Sequence, residues 1–129
     1  MRKLHLLLIL LVGFNFSVKA NPSCSEASVQ IKNSKLQKIM IKWIDKKKTK
    51  IKFLYNEKII SANPFFCYQR KGFKECLGDD DSGHLIIKNN KLKIKRLTIR
   101  TADDHHHQIK EIRKGFSLKK VSCNQNSKK

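Results

Sequence analysis

The sequence has few acidic residues, few prolines and, after residue 20, no long apolar run. Ten acidic residues stand against 29 lysines and arginines in 129 residues, and only two prolines interrupt the chain. Beyond residue 20, no apolar stretch approaches the roughly 20 residues needed to cross a bilayer. No Asn-x-Ser/Thr site for N-glycosylation follows either. The sequence therefore predicts no membrane span and no N-linked glycan after residue 20.

Signatures of catalysis and of metal binding are also missing. No local sequence pairs a nucleophile with a base, so we expect no enzymatic activity and no cofactor. The four cysteines include no Cys-x-x-Cys pair, which argues against a zinc site. His105 and His107 would share one side of a strand after Asp103-Asp104. Two imidazoles without a third ligand bind metal weakly, so they stay weak candidates and no metal site is predicted.

The amino terminus has the pattern of a secretory signal peptide. Arg2 and Lys3 precede the mostly apolar residues 4–16, and Val18-Lys19-Ala20 supplies the residue types that a signal peptidase inspects. We expect cleavage after Ala20 (residues 1–20 removed) and a secreted, extracellular product. Residues 21–123 would form one disulfide-bonded domain, and residues 124–129 a disordered basic tail.

An even number of cysteines in an oxidising compartment predicts two disulfides. Four cysteines, Cys24, Cys67, Cys76 and Cys123, allow three pairings. We favour Cys67–Cys76, because these two flank the glycine-containing turn Lys71-Gly72. Cys24–Cys123 would then tie the two ends of the domain together.

The charge balance points to anionic partners. Three of the 29 basic residues lie in the predicted signal peptide, which leaves 26 basic against 10 acidic residues and a net charge near +16. Such an excess attracts polyanions at long range. We expect a polyanionic glycan or an extracellular protein as partner, although lysines also solvate strand faces and discourage edge aggregation. The candidate polyanion-binding residues are Lys46, Lys47, Lys48, Lys88, Lys91, Lys93, Lys95 and Arg96.

Period-two alternation predicts strands along most of the chain. It is clearest over residues 85–121, where Asn89-Asn90 fits a tight turn and a slip of phase at Lys95-Arg96 indicates a β-bulge. Residues 34–48 are ambiguous. Their apolar spacing and the possible capping box of Ser34 and Gln37 favour a helix, whereas alternating Ile39, Ile41 and Trp43 favour a strand.

Three segments resemble an immunoglobulin-like domain. Residues 41–59 (IKWIDKKKTKIKFLYNEKI) resemble the tryptophan strand and its neighbour, residues 92–112 the later L-x-I strand and acidic corner, and residues 114–121 the last strand. The family's inter-sheet cysteine pair is absent. The resemblance implies an antiparallel β-sandwich with Trp43 as its buried indole. The alternative architecture is α+β, with one helix at about 34–48 packed on an antiparallel sheet.

The function expected from these features is that of a small basic binding or interaction module outside the cell. The alternative is a secreted cationic effector or host-defence protein that binds sulfated glycans or anionic membranes.

Overall fold

The computed structural model describes residues 22–123. The predicted signal peptide and carboxyl-terminal tail lie outside the described residues. One short 3₁₀ turn, Asp79–Asp81, accompanies nine strands. The strands are β1 (Ser23–Ser28), β2 (Leu36–Trp43), β3 (Lys48–Tyr55), β4 (Lys58–Ser61), β5 (Phe65–Arg70), β6 (Phe73–Gly78), β7 (Gly83–Lys88), β8 (Lys91–Arg100) and β9 (His106–Val121).

The strands form a closed, eight-stranded antiparallel β-barrel. Strand β1 lies between β2 and β9, and the pairing of β2 with β3 closes the ring β1-β2-β3-β5-β6-β7-β8-β9. Strands β4 and β5 both pair with β3, the first beside Lys52 to Tyr55 and the second beside Lys48 and Thr49. They therefore act as one strand of the ring that is interrupted before Pro64, a residue without a backbone donor.

The predicted immunoglobulin-like sandwich is wrong. Sandwiches of that kind separate their strands into two sheets and need long crossing connections, whereas this chain forms one continuous sheet. The connection between β1 and β2, residues 29–35, is the longest between described strands. Connections this short force strands that follow one another in sequence to become neighbours in the sheet. Trp43, expected as the buried indole, is only partly buried.

The alternative helix at about 34–48 is also wrong. Strand β2 occupies Leu36–Trp43 and pairs with β1 and β3. The Ser34 hydroxyl accepts a hydrogen bond from the Leu36 N–H (3.2 Å), and the Gln37 side chain binds the β3–β4 turn at the Glu57 N–H (2.6 Å). The residues that suggested a capping box therefore stabilise turns beside a strand.

The barrel interior is filled by the inward-facing residues of the alternating pattern. The bulge predicted at Lys95-Arg96 is present, since His84 pairs with Arg96 but Leu85 pairs with Ile94. This extra residue keeps Leu92 and Ile94 in phase with Leu97 and Ile99, so that all four are buried. Other completely enclosed side chains include Ile39, Ile41, Ile51, Phe53, Phe65 and Leu85.

Both expected disulfides are present, Cys24–Cys123 and Cys67–Cys76. The first ties the start of β1 to the residue two positions after β9, and the second crosses the β5–β6 hairpin at paired positions. Within residues 22–123, no helix is long and apolar enough to span a membrane.

Candidate polyanion-binding surface

Antiparallel strands place their connections alternately at the two ends of the barrel. The β2–β3, β5–β6 and β7–β8 connections share one end, here called the basic end. The β1–β2, β3–β4, β6–β7 and β8–β9 connections share the other, the acidic end. Six of the ten acidic residues lie in connections at the acidic end, while the basic-end connections hold only Asp45. The six are Glu57, Asp79, Asp80, Asp81, Asp103 and Asp104.

Four of the predicted lysines form one patch on the β7–β8 hairpin. This hairpin patch consists of Lys88, Lys91, Lys93 and Lys95, all of them exposed. The two-residue turn Asn89-Asn90 has positive φ at both positions (51° and 61°), which places Lys88 directly opposite Lys91. Because alternate residues of a strand face the same side about 7 Å apart, Lys91 and Lys93 point outward together.

A groove of about 490 Å³ runs through the hairpin patch. It is lined by Ile86, Lys88, Asn89, Lys91, Lys93 and Gly115. Its cause is an irregularity in β9. Leu92 pairs with Phe116 but Ile94 pairs with Glu111, so residues 112–115 of β9 lie beside the single residue Lys93. The partly buried Ile86 lies opposite Lys93 on β7 and supplies an apolar surface between the lysines.

The charges of the hairpin patch are not neutralised by ion pairs. Within the described part of the chain, none of its four lysines lies within ion-pair distance of a carboxylate. Strands β7 and β8 contain no acidic residue. The one carboxylate on β6, Glu75, accepts a hydrogen bond from Arg70 (2.9 Å), which holds the pKa of Glu75 below its usual range.

Arg96 does not belong to this patch, although the sequence suggests it does. Its guanidinium donates to a side-chain oxygen of Asp81 (2.7 Å) and to the Asp81 backbone carbonyl (2.9 Å). The bulge at Lys95 therefore directs Arg96 toward the β6–β7 connection at the acidic end. Lys95 stays exposed.

The other three predicted lysines form a separate turn patch, Lys46, Lys47 and Lys48, between β2 and β3. Four steps around the eight-stranded ring separate β3 from β8, so the two patches lie on opposite sides of the basic end. Asp45 lies within the turn patch and accepts the N–H groups of Lys48 (2.7 Å) and Lys47 (2.8 Å). These two hydrogen bonds lower the pKa of Asp45 and keep a negative charge among the three lysines.

Aromatic side chains hold other cations at the basic end. Lys74 Nζ lies 4.8 Å from the ring centroid of Trp43, and the Arg70 guanidinium lies 5.4 Å from that of Tyr68. Lys47 Nζ approaches the same Tyr68 ring at 6.0 Å. Contacts of this kind orient cations over aromatic faces. Arg70, Lys71 and Lys74 were not among the predicted binding residues, but their β5–β6 hairpin places them at this end.

The weak metal candidates lie at the acidic end. His105 Nδ1 is 2.8 Å from a carboxylate oxygen of Asp103, and the ring centroids of His105 and His107 are 6.4 Å apart. The Thr101 hydroxyl also donates to Asp103, and together with His105 it lowers the pKa of Asp103 to about 2. Residues 22–123 contain no group of three His, Cys, Asp or Glu side chains that could hold a metal ion.

The segregation of charge between the two ends is the main feature that the sequence interpretation missed. Its signal is in the sequence: acidic residues fall in alternate connections, at residues 57, 79–81 and 103–104. Comparison with known proteins adds no assignment, because no protein-family model, no curated protein and no solved structure matches this chain.

Proposed function

We propose that this protein is a secreted, non-catalytic binding module whose hairpin patch binds a linear sulfated glycan. The observation that carries the proposal is the groove of the hairpin patch, where exposed lysines without ion pairs flank an apolar surface. A row of charges along a strand matches a linear polyanion, and release of its condensed counterions favours binding. The two disulfides and the predicted signal peptide support an extracellular location.

The distribution of charge separates this proposal from simple attraction by net charge. Lys88, Lys91 and Lys93 share one groove at the basic end. Lys32, Lys35 and Lys58 are equally exposed but lie beside the acidic-end connections. Changing either set to glutamate alters the net charge by the same amount. If the glycan binds at the hairpin patch, the two variants have different affinities for it. If net charge alone attracts the glycan, the two affinities are equal.

Heparin binding by these two variants tests the proposal. We expect the K88E/K91E/K93E variant to elute from immobilised heparin at much lower salt than the K32E/K35E/K58E variant. The slope of log Kd against log salt concentration should fall by about two to three for the former, one for each lost contact. Equal elution of the two variants would remove the basis for a glycan site in the hairpin patch. Equal thermal midpoints would show that both variants keep the fold.

Anionic membranes are a second candidate partner, favoured by one observation at the turn patch. Ile44 has 41 % of its surface exposed beside Lys46, Lys47 and Lys48, and Trp43 precedes it. An exposed apolar residue with flanking lysines and a tryptophan suits a lipid headgroup region. If this partner is correct, I44S lowers binding to vesicles of phosphatidylserine and phosphatidylcholine while K88E/K91E/K93E binds them normally. Absence of binding by the wild-type protein to these vesicles would eliminate this candidate.

A further inference from the structure

The β5–β6 hairpin carries aromatic side chains on the outer surface of the barrel. Residues 22–123 contain eight Phe, Tyr and Trp residues, and five of them lie in the core or pack against it. The other three are Phe66 and Tyr68 of β5 and Phe73 of β6, here called the aromatic face. Each of the three is partly exposed. The aromatic rings outside the core are therefore concentrated on one hairpin.

Strand alternation and strand pairing bring the three rings together. Cys67 and Cys76 are buried directly opposite each other, so the alternate positions of both strands point outward. Phe66 and Tyr68 occupy successive outward positions of β5, about 7 Å apart. Phe73 pairs with the residue two positions after Tyr68, which makes it a diagonal neighbour within reach of a large side chain. The three rings thus form one surface.

Cations border the aromatic face on the side of the turn patch. Lys48 of β3 pairs with Phe66. Lys47 Nζ lies 6.0 Å from the ring centroid of Tyr68, and the Arg70 guanidinium lies 5.4 Å from it. In the part of the chain that the structure describes, neither lysine lies within ion-pair distance of a carboxylate. Both lysines are exposed, so their charges are accessible to an anion that contacts the rings.

A polar pair lies beside the rings. Glu75 pairs with Tyr68 across the hairpin. Glu75 Oε1 lies 2.9 Å from Arg70 Nε, and Glu75 Oε2 lies 2.7 Å from His84 Nε2. A lipid surface that covered the rings would also cover this carboxylate, and removing a charged group from water is costly. The aromatic face therefore suits a hydrated partner that carries both planar groups and negative charge.

We propose that the aromatic face binds single-stranded nucleic acid. Unpaired bases stack on aromatic rings and on guanidinium planes, and every base has a π-face that suits such contacts. Phosphates of the same strand would lie at Lys47 and Lys48. A duplex offers mainly its phosphates, because its bases are stacked within the helix, and a sulfated glycan has no bases. A single strand offers both bases and phosphates, which match the rings and the lysines.

The aromatic face borders the glycan groove but shares none of its lysines. Ile86 of the groove pairs with Glu75, which places the two surfaces side by side. The lysines of the hairpin patch belong to β7 and β8, whereas the aromatic face belongs to β5 and β6. Binding at the aromatic face therefore does not depend on the glycan proposal, and experiments can refute either proposal separately.

An abasic oligonucleotide separates base stacking from attraction by net charge. It keeps every phosphate of an oligothymidylate of about ten nucleotides but has no bases. We expect the wild-type protein to bind the labelled oligothymidylate about a hundredfold more tightly than the abasic strand, as measured by fluorescence anisotropy at one salt concentration. Equal affinity for the two strands would overturn the proposal, because attraction by charge alone would then account for binding.

Leucine at Tyr68 tests the ring at constant net charge. Y68L keeps an apolar side chain but removes the planar surface, whereas Y68F keeps the ring and is the matched control. We expect Y68L to bind the oligothymidylate about tenfold more weakly than Y68F. The slope of log Kd against log salt concentration should be the same for both, because no phosphate contact is lost.

F73L tests a second ring of the same surface and should show a similar loss of affinity. Equal thermal midpoints of the leucine variants and Y68F would show that the fold is kept. Wild-type affinity in both Y68L and F73L would exclude stacking on the aromatic face.

NMR locates the bases, and two further measurements separate the alternatives. The ring protons of Phe66, Tyr68 and Phe73 should shift upfield when the oligothymidylate is added, because stacked bases shield them. The K88E/K91E/K93E variant should keep its preference for the oligothymidylate over the abasic strand while it loses heparin affinity. Vesicle binding that requires the Tyr68 ring, without any preference for the strand that has bases, would assign the aromatic face to membranes and contradict the proposal.

Discussion

The two ends of the barrel differ in how their charged side chains are paired. Near the basic end, disulfides join Cys24 to Cys123 and Cys67 to Cys76. Among the residues that the structure describes, no carboxylate forms an ion pair with a lysine of the hairpin patch. At the acidic end, three of the acidic residues in the connections lie within ion-pair distance of an arginine or a histidine. Asp81 pairs with Arg96, for example. The difference teaches that the hairpin patch leaves its positive charge free for an external anion, whereas part of the negative charge of the acidic end is paired within the protein.

Removing the covalent links near the basic end has the largest expected effect. The C24S/C123S variant loses a link across 99 residues, and the chain-entropy model gives a loss of about 5 kcal/mol in the free energy of unfolding. The C67S/C76S variant loses a link across nine residues, for which the same model gives about 3 kcal/mol. Chemical denaturation of both variants measures the difference. A larger loss in the C67S/C76S variant would contradict the view that Cys24–Cys123 is the main covalent closure.

Charge-reversal variants distinguish the contributions of the two basic-end patches to heparin binding. The K46E/K47E/K48E and K88E/K91E/K93E variants have the same net charge, but only the turn patch holds an internal carboxylate, that of Asp45. We expect the turn-patch variant to lose several-fold less heparin affinity than the hairpin-patch variant. Titration calorimetry with a heparin-derived hexasaccharide measures the affinities of both variants. Equal losses would assign the glycan to the whole basic end and not to the groove.

The smallest expected effect concerns the acidic end and its dependence on pH. The folded-state pKa of Asp103 is lowered to about 2 by the Thr101 hydroxyl and His105. A lowered pKa contributes stability that is present above the unfolded value near 4 and is lost as the pH falls through about 2. The thermal midpoint of wild type should exceed that of D103N at pH 5, with the gap disappearing near pH 2. A gap that persists at pH 2 would show that Asp103 acts through packing or geometry and not through its charge.

Local features of the fold could be predicted because they depend on nearby residues. The turn at Asn89-Asn90 follows from two residues that tolerate positive φ, and the bulge at Lys95-Arg96 follows from the change of apolar phase within β8. The disulfide pairing followed in the same way, since Cys67 and Cys76 flank a glycine turn that makes them directly opposite.

The architecture could not be predicted from the same patterns, because alternation is identical in a sandwich and in a barrel. Closure depends on pairings between distant segments, such as Ser25 with Lys120 and Ile41 with Ile51. The resemblance of residues 41–59 to a tryptophan strand was misleading because a local strand pattern does not show which distant strands it pairs with. Trp43 is only partly buried and lies near the end of the barrel, where Lys74 Nζ is 4.8 Å from its ring centroid. The lengths of the connections were the better guide.

The candidate site was predictable in its residues but not in its arrangement. Lysine spacing identified Lys91, Lys93 and Lys95 as a row, since period two alone places them on one face. It could not show that Arg96 turns away to Asp81, because that contact depends on the β6–β7 connection. It also could not separate the hairpin and turn patches, which are similar in sequence but lie on opposite sides of the ring.

The most direct test of the central claim is to map glycan binding on the two ends by NMR. Titration of the ¹⁵N-labelled protein with a heparin-derived hexasaccharide should shift the amide signals of Ile86, Lys88, Lys91, Lys93 and Gly115, which line one groove. Signals of the acidic-end connections should stay in place. Shifts concentrated in those connections, or spread evenly over all exposed lysines, would contradict a binding site in the hairpin patch.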